Sequence, residues 1–323
     1  MENQELCFPE LLNASCKKPT LHWDDGVLVN ILLSFISVTT TALNLLVIIS
    51  VSHFRRLHTP TNILLLSLAV SDFLVGFLLM PIEMFIRADC WYLGDIVCSV
   101  FNYMAFIITS SSVGDMVLIS VDRYVAICDP LHYTTRVTER GVKLCVCLCW
   151  LCSVFYSSFL LKDDLTHPGK YNSCYGECIS FVSYIAGVVD LILTFIAPIT
   201  VIVMLYMRVF VVAVSQARAM HVHVSVQASV ILTSRKSELK AARTLGVLVV
   251  VFLVCFCPYY CLTLTGDKSL SDLAAFFVCY LFYFNSCLNP LIYALFYPWF
   301  RKAVKLIVTL QILQPGSCDT NIL

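Results

Sequence analysis

Charge is scarce: 13% of the 323 residues are Asp, Glu, Lys or Arg and 59% are apolar, against roughly 25% charged in soluble domains. That scarcity excludes an ordinary soluble fold. Acids and bases balance at 21 each, so no bulk attraction to nucleic acid is implied. No basic segment precedes the first apolar run and no small-residue cleavage site follows it, which argues against a removable signal peptide. Neither an HExxH-like run nor a Gly-rich phosphate loop appears, so no enzymatic constellation is offered. Internal repeats and paired broken apolar segments, the signature of a secondary transporter, are missing too. The longest inner loop, at about 215–237, holds His221 and His223 with no third ligand to make a metal site.

Long apolar runs are what the chain has. They fall at about 27–51, 61–86, 97–127, 142–161, 179–214, 239–264 and 271–296, each near or above the ~20 residues that span a bilayer as a helix. An eighth stretch, 298–309, puts Phe300, Val304, Ile307 and Val308 on one side and Arg301, Lys302 and Lys305 on another, which reads as a helix lying in the membrane interface. The fold expected is an all-α membrane protein, a seven-helix bundle over 27–296. An outer segment (1–26) precedes it, and an amphipathic helix with a short tail (297–323) follows.

Orientation follows from the bases. Of the 21, 15 lie on the side holding the first, third and fifth connections and the tail, so the amino terminus is expected outside. The sequon Asn13-Ala14-Ser15 is usable on that same side. Twelve acids against six bases line the outer segments. Such a mouth concentrates cations, and a solvated acidic face kept for solubility is the competing reading. Of the 17 cysteines, Cys7, Cys16, Cys90, Cys98, Cys174 and Cys178 fall outside, an even number suited to an oxidising compartment.

The third run is the central post of the expected bundle, because Thr109, Ser110, Ser111, Ser112 and Gly114 let neighbouring helices approach and hydrogen-bond. Ionisable residues inside spans are costly and therefore functional candidates. Asp72, with Ser112, Asn285 and Asn289 (and Ser286 beside them), forms an oxygen-rich one-carboxylate cluster suited to a sodium ion, or else a polar network packing three helices. Glu83 has Arg87 one turn on and reads as a local ion pair. Asp115, about 80° round the helix from Ala105 at 100° per residue, reads as an interhelical hydrogen-bonding residue. At the inner end, Arg123 beside Asp122 and Glu238 at the start of the sixth run suggest a contact whose release opens a cleft.

Asn44, Asp72, Cys98, Asp122-Arg123-Tyr124, Trp150, Pro198 with Tyr206, Pro258 within CFCPYY, and Asn289-Pro290-Leu291-Ile292-Tyr293 together resemble the rhodopsin-like G-protein-coupled receptor pattern, one hallmark per span. Leu43, where the family usually has Gly, and Phe256, where it usually has Trp, depart from it. Residues 285–300, NSCLNPLIYALFYPWF, are similar to the fingerprint of the trace amine-associated receptors; Trp299 and Phe300 suit an interfacial belt. The resemblance implies a fish-type olfactory receptor for amines in the plasma membrane of sensory cilia. It also implies a stimulatory, olfactory-type G protein as inner partner, signalling through cyclic AMP, and a switch made of Asp122, Arg123, Tyr124, Tyr206, Glu238 and Tyr293. No cofactor is expected beyond an allosteric sodium ion.

Relatives that bind amines neutralise the ammonium with an Asp where this chain has Ala105. The resemblance turns Asp190 inward, one turn before Thr194, and some members carry an acid there in place of the missing one. Phe256, Tyr259, Tyr260 and Tyr283 offer aromatic faces worth ~0.5–2 kcal/mol to a cation; Ala105, Thr109, Gly187 and Thr194 complete the expected lining. A neurotransmitter-type amine receptor, or an orphan with constitutive activity, is the alternative, and the missing acid at Ala105 weighs against the first. The family pattern implies a Cys98–Cys178 bridge. Spacing cannot fix the other pairings; Cys7–Cys174 and Cys16–Cys90 are the expectation.

Overall fold

The computed structural model describes residues 5–11, 14–18, 23–222, 246–247, 249–262, 272–320 and 322. Its helices, in chain order, are α1 (Trp23–His53), α2 (Pro60–Leu74), α3 (Met80–Ala88), α4 (Asp95–Cys128), α5 (Pro130–Arg136), α6 (Glu139–Leu160), α7 (Lys162–Thr166), α8 (Tyr184–Asp190), α9 (Ala197–Val222), α10 (Val249–Leu262), α11 (Asp272–Phe296) and α12 (Pro298–Val308). Single π-helical turns, Val75–Leu79 and Leu191–Ile196, join α2 to α3 and α8 to α9. Six stretches are thus long and apolar enough to cross a membrane, among them Pro60–Arg87 and Tyr184–Val212, and α10 is apolar but shorter over the described residues. This is the expected all-α bundle. The fifth span starts later than its apolar run suggests, because Ser183, in extended backbone, caps it by accepting a hydrogen bond from the Ala186 N–H at 3.4 Å.

Local chemistry sets the other ends. Thr59 caps α2 with Pro60 at the first helical position, and Thr138 caps α6 through the Gly141 N–H at 3.2 Å; both caps satisfy donors that a helix start leaves open. α4 begins after Gly94, whose φ of +82° suits glycine.

α4 is the post on which the bundle is built, packing against α2, α6 and α9. Small residues permit close approach, as expected. A β-carbon on Gly114 would collide with the Cys149 sulfur of α6, and one on Gly76 would come within 2.9 Å of Thr40 in α1. Polar ties cross these contacts: Ser37 Oγ donates to the Gly76 carbonyl at 2.7 Å, and Tyr103 meets Ser158 Oγ at 2.8 Å. Asp115 is fully buried; Ser67 Oγ donates to it at 2.7 Å while accepting from Trp150 Nε1 at 3.0 Å, so one hydroxyl knits α2, α4 and α6.

Three disulfides close one face. Cys98 is bonded to Cys178, but the remaining pairs are Cys7–Cys90 and Cys16–Cys174, not Cys7–Cys174 and Cys16–Cys90. The reason is backbone register. Leu6 pairs with Lys17, and Ser15 pairs in parallel with Tyr175, the Cys16 N–H donating to the Tyr175 carbonyl at 2.9 Å and the Tyr175 N–H to Ala14 at 2.8 Å. That register brings Cys16 to Cys174. Cys7 is left against Gly176, whose neighbour across the loop is Trp91, one residue after Cys90.

On the opposite face α12 shows Arg301, Lys302 and Lys305 to the outside. Trp299 and Phe300, expected in an interfacial belt, are instead buried. Pro298 at the start of α12 fixes the turn that folds their rings inward, Trp299 tilted against Tyr297 and edge to face with Phe300. Beyond α12 the chain reverses at Leu310, the described non-glycine residue with positive φ (+57°), and lies back against the first connection. Ser317 Oγ meets His53 Nε2 at 2.9 Å, Asp319 reaches Arg55 at 3.6 Å, and Ile322 is buried.

Candidate functional site

Asp190 closes α8 at the point where the fifth span loosens into its π-turn, a local irregularity frequent at functional sites. Its carboxylate is half-buried and asymmetrically held. Tyr156 of α6 donates its hydroxyl to Oδ1 at 2.6 Å, and Thr194 Oγ1 stands 3.3 Å from the same oxygen. Thr194 makes its shorter bond, 2.6 Å, to the Asp190 carbonyl, and its hydroxyl also meets Tyr260 at 2.6 Å. With the Thr194 proton committed to that carbonyl, Tyr260 is the donor in their contact. A chain of hydroxyls therefore ties α10 to the fifth span, and α6 supplies a second donor.

The aromatic faces expected around the amine form a connected row. Phe195 stacks on Tyr260 at 4.5 Å between centroids, Tyr260 meets Tyr259 edge-on at 5.3 Å, Tyr259 lies 4.8 Å from Phe282, and Phe282 is 4.3 Å from Phe256 and 5.7 Å from Tyr283. Phe256 is buried and also stacks on Phe252 at 4.1 Å. Ala105 and Thr109 are half-buried on α4, and a β-carbon on Gly187, one turn before Asp190, would meet nothing within 4 Å. At the far end of the row Glu83 accepts from Arg87 Nε at 2.7 Å, the expected local ion pair, with the Cys279 thiol 3.9 Å away.

The Asp72 cluster is assembled in the bundle core. Asn289 Nδ2 donates to Asp72 Oδ2 at 2.7 Å, and Asn44 Nδ2 donates to the Thr40 and Ser286 carbonyls at 3.0 Å. Several atoms there have no protein partner among the described residues: Asp72 Oδ1, Asn289 Oδ1, Asn44 Oδ1 and both polar atoms of Asn285. Ser112 is buried on α4.

At the other end of α4, Arg123 Nε donates to Asp122 Oδ2 at 2.9 Å; its terminal nitrogen also bonds Asp122 and Thr61. Thr61 donates to Asp122 at 2.9 Å and Tyr133 of α5 at 2.7 Å, so the acid is held by three elements. Tyr206 and Tyr293 keep buried hydroxyls without a protein partner among the described residues. Tyr124 is half-buried on α4. Glu238 and Asn13 lie outside the described residues.

Tyr156, Thr61 and Tyr133 are absent from the sequence-based set. Tyr156 had a legible signal: it is the single tyrosine in its apolar run, and a hydroxyl inside a span requires a partner.

The chain matches the family model described as "7 transmembrane receptor (rhodopsin family)" over residues 43–293. It is 39% identical to trace amine-associated receptor 13c of Danio rerio over 98% of this chain and 96% of that protein. It is 39% identical to trace amine-associated receptor 8a of Rattus norvegicus over the same shares, and 35% identical to trace amine-associated receptor 1 of Macaca mulatta over 95% of each. With one hallmark on every span, it belongs to the rhodopsin family of seven-transmembrane receptors and, within that, to the trace amine-associated receptors, a family of receptors and not of enzymes.

Proposed function

We propose that this receptor binds a small protonated amine, with Asp190 as the ammonium acceptor, and signals from the plasma membrane of olfactory cilia through a stimulatory, olfactory-type G protein to cyclic AMP. The observation that carries the binding step is the half-buried carboxylate of Asp190, oriented by the Tyr156 hydroxyl, with Thr194 linking its backbone to Tyr260, whose ring stacks on Phe195. A carboxylate already oriented loses little on binding, and the adjoining rings add cation–π attraction. Ala105, where an acid would compete, offers no charge. The amino terminus faces outward in this reading, with Asn13 glycosylated; glycosidase digestion that left electrophoretic mobility unchanged would count against it.

Asp190→Asn keeps the shape and removes the charge. In cells carrying a cyclic AMP reporter, screened with a few dozen amines, this variant loses the amine response while its surface expression stays near that of the wild type. Removing one partner of a buried charge pair costs ~3–5 kcal/mol, more than a hundredfold in potency. A half-maximal concentration within about threefold of wild type, under ~1 kcal/mol, would place the ammonium elsewhere, with Glu83 next to be tested.

Sodium at Asp72 belongs to the same reading. The unpartnered buried oxygens of Asp72, Asn285 and Asn289, with the expected Ser112 hydroxyl, suit a hard monovalent cation, for which oxygen is the preferred donor. Asp72 would supply the charge there and the amide oxygens the remaining contacts.

A further inference from the structure

The two oxygens of Asp190 are not equivalent. Tyr156 donates to Oδ1 at 2.6 Å, with the Thr194 hydroxyl 3.3 Å from the same oxygen and its proton on the Asp190 carbonyl, and among the described residues no donor reaches Oδ2. Tyr156 comes from a different span, α6, so its hydroxyl is placed by the packing of the bundle and not by the fifth span itself. Half of the carboxylate is therefore spoken for before any ligand arrives.

Cations differ in what they ask of a carboxylate. An alkylammonium is a compact charge that is served by one oxygen, and even a tertiary amine, with a single N–H, can use it. A guanidinium is a planar fork that is bound best by two parallel N–H···O bonds to both oxygens. We infer that Tyr156 sets the ligand class at Asp190: by holding Oδ1 it leaves one open oxygen, which admits alkylamines and disfavours guanidines of the same length and shape. Tyr156 is a specificity-determining residue in this account, acting through Asp190. The inference rests on Asp190 being the ammonium acceptor.

The test uses matched pairs, n-alkylamine against n-alkylguanidine from three to eight carbons plus the phenethyl pair. They are applied to the full-length receptor and read both by cyclic AMP and by thermal stabilisation of the detergent-solubilised protein. In the wild type the amine is more potent than its guanidine by about tenfold, the equivalent of ~1.4 kcal/mol, in each pair that acts. Tyr156→Phe keeps the ring and removes the donor; it narrows the ratio to within threefold by raising guanidine potency. Tyr156→Leu, which removes the ring as well, narrows it to the same extent, because the hydroxyl and not the ring holds Oδ1. Guanidines as potent as amines on the wild type would overturn the inference, and so would an unchanged ratio in a Tyr156→Phe receptor present at the surface. Asp190→Asn distinguishes the two levels. If it abolishes responses while Tyr156→Phe leaves the ratio unchanged, the inference fails alone; if it leaves amine potency intact, the ammonium site itself is misplaced and both readings fall.

Discussion

Asp164, in the short helix α7, is 5% exposed, and its Oδ2 has no protein partner among the described residues. Burial raises its carboxyl above the ordinary 3.8, while hydrogen bonding to Ser99 and Asn102 on α4 opposes the rise without cancelling it. A carboxyl whose folded value is raised favours the fold in its neutral form. The contribution is complete below the unfolded value and is lost as pH climbs through the folded one. Asp164→Asn, which does not titrate, is therefore expected to raise the unfolding temperature of the solubilised receptor near neutral pH, with the gain fading toward about pH 4. An equal gain at both pH values would show that charge is not its cause. At this scale legibility depended on how far a residue's meaning is local. Glu83 and Arg87 sit four apart on one helix, so their pairing could be read from the sequence. Tyr156 and Asp190 sit 34 apart and meet only because α6 and the fifth span are neighbours, which no periodicity expresses.

Elements were more legible than residues, since the length of an apolar run is itself the membrane constraint. The π-turns at Val75–Leu79 and Leu191–Ile196 left no comparable trace, because each inserts its extra residue within an unbroken apolar run. Their effect is to rotate everything beyond them relative to a continuous α-helix, so the phase of the fifth span depends on a feature that only the structure supplies. The cluster joining α1, α2 and α11 around Asp72 was half legible: the residue types were apparent, but not that Asn44 spends its amide on two carbonyls. If sodium occupies it, raising sodium to about 0.15 M, the physiological ionic strength, lowers agonist potency on the wild type. In Asp72→Asn that sensitivity disappears while surface expression persists. A wild-type receptor indifferent to sodium in exchange for choline would remove the ion from the account.

At the scale of the whole molecule, the bundle could be read from hydropathy and the closure of its disulfide face could not, because cysteine pairing there is decided by one local bridge, Leu6 with Lys17, and one between Ser15 and Tyr175, 160 residues apart. Pairing is open to test by combining substitutions. Cys16→Ser with Cys174→Ser is expected to reduce stability no further than either change alone, by ~2–5 kcal/mol, whereas Cys7→Ser with Cys174→Ser breaks two bridges and is worse than both singles. Surface expression and unfolding temperature report the difference; the opposite ranking would reinstate Cys7–Cys174. Cys7 and Cys16 are bonded to different partners, Cys90 and Cys174, which gives the segment between them an unusual topology. A protease that cuts after Glu10 severs the chain but liberates nothing: the clipped end stays hooked to the connection after the second span and the remainder to the loop before the fifth. The nicked receptor would migrate on a gel as an uncut chain until a thiol is added, and only then shed its first residues.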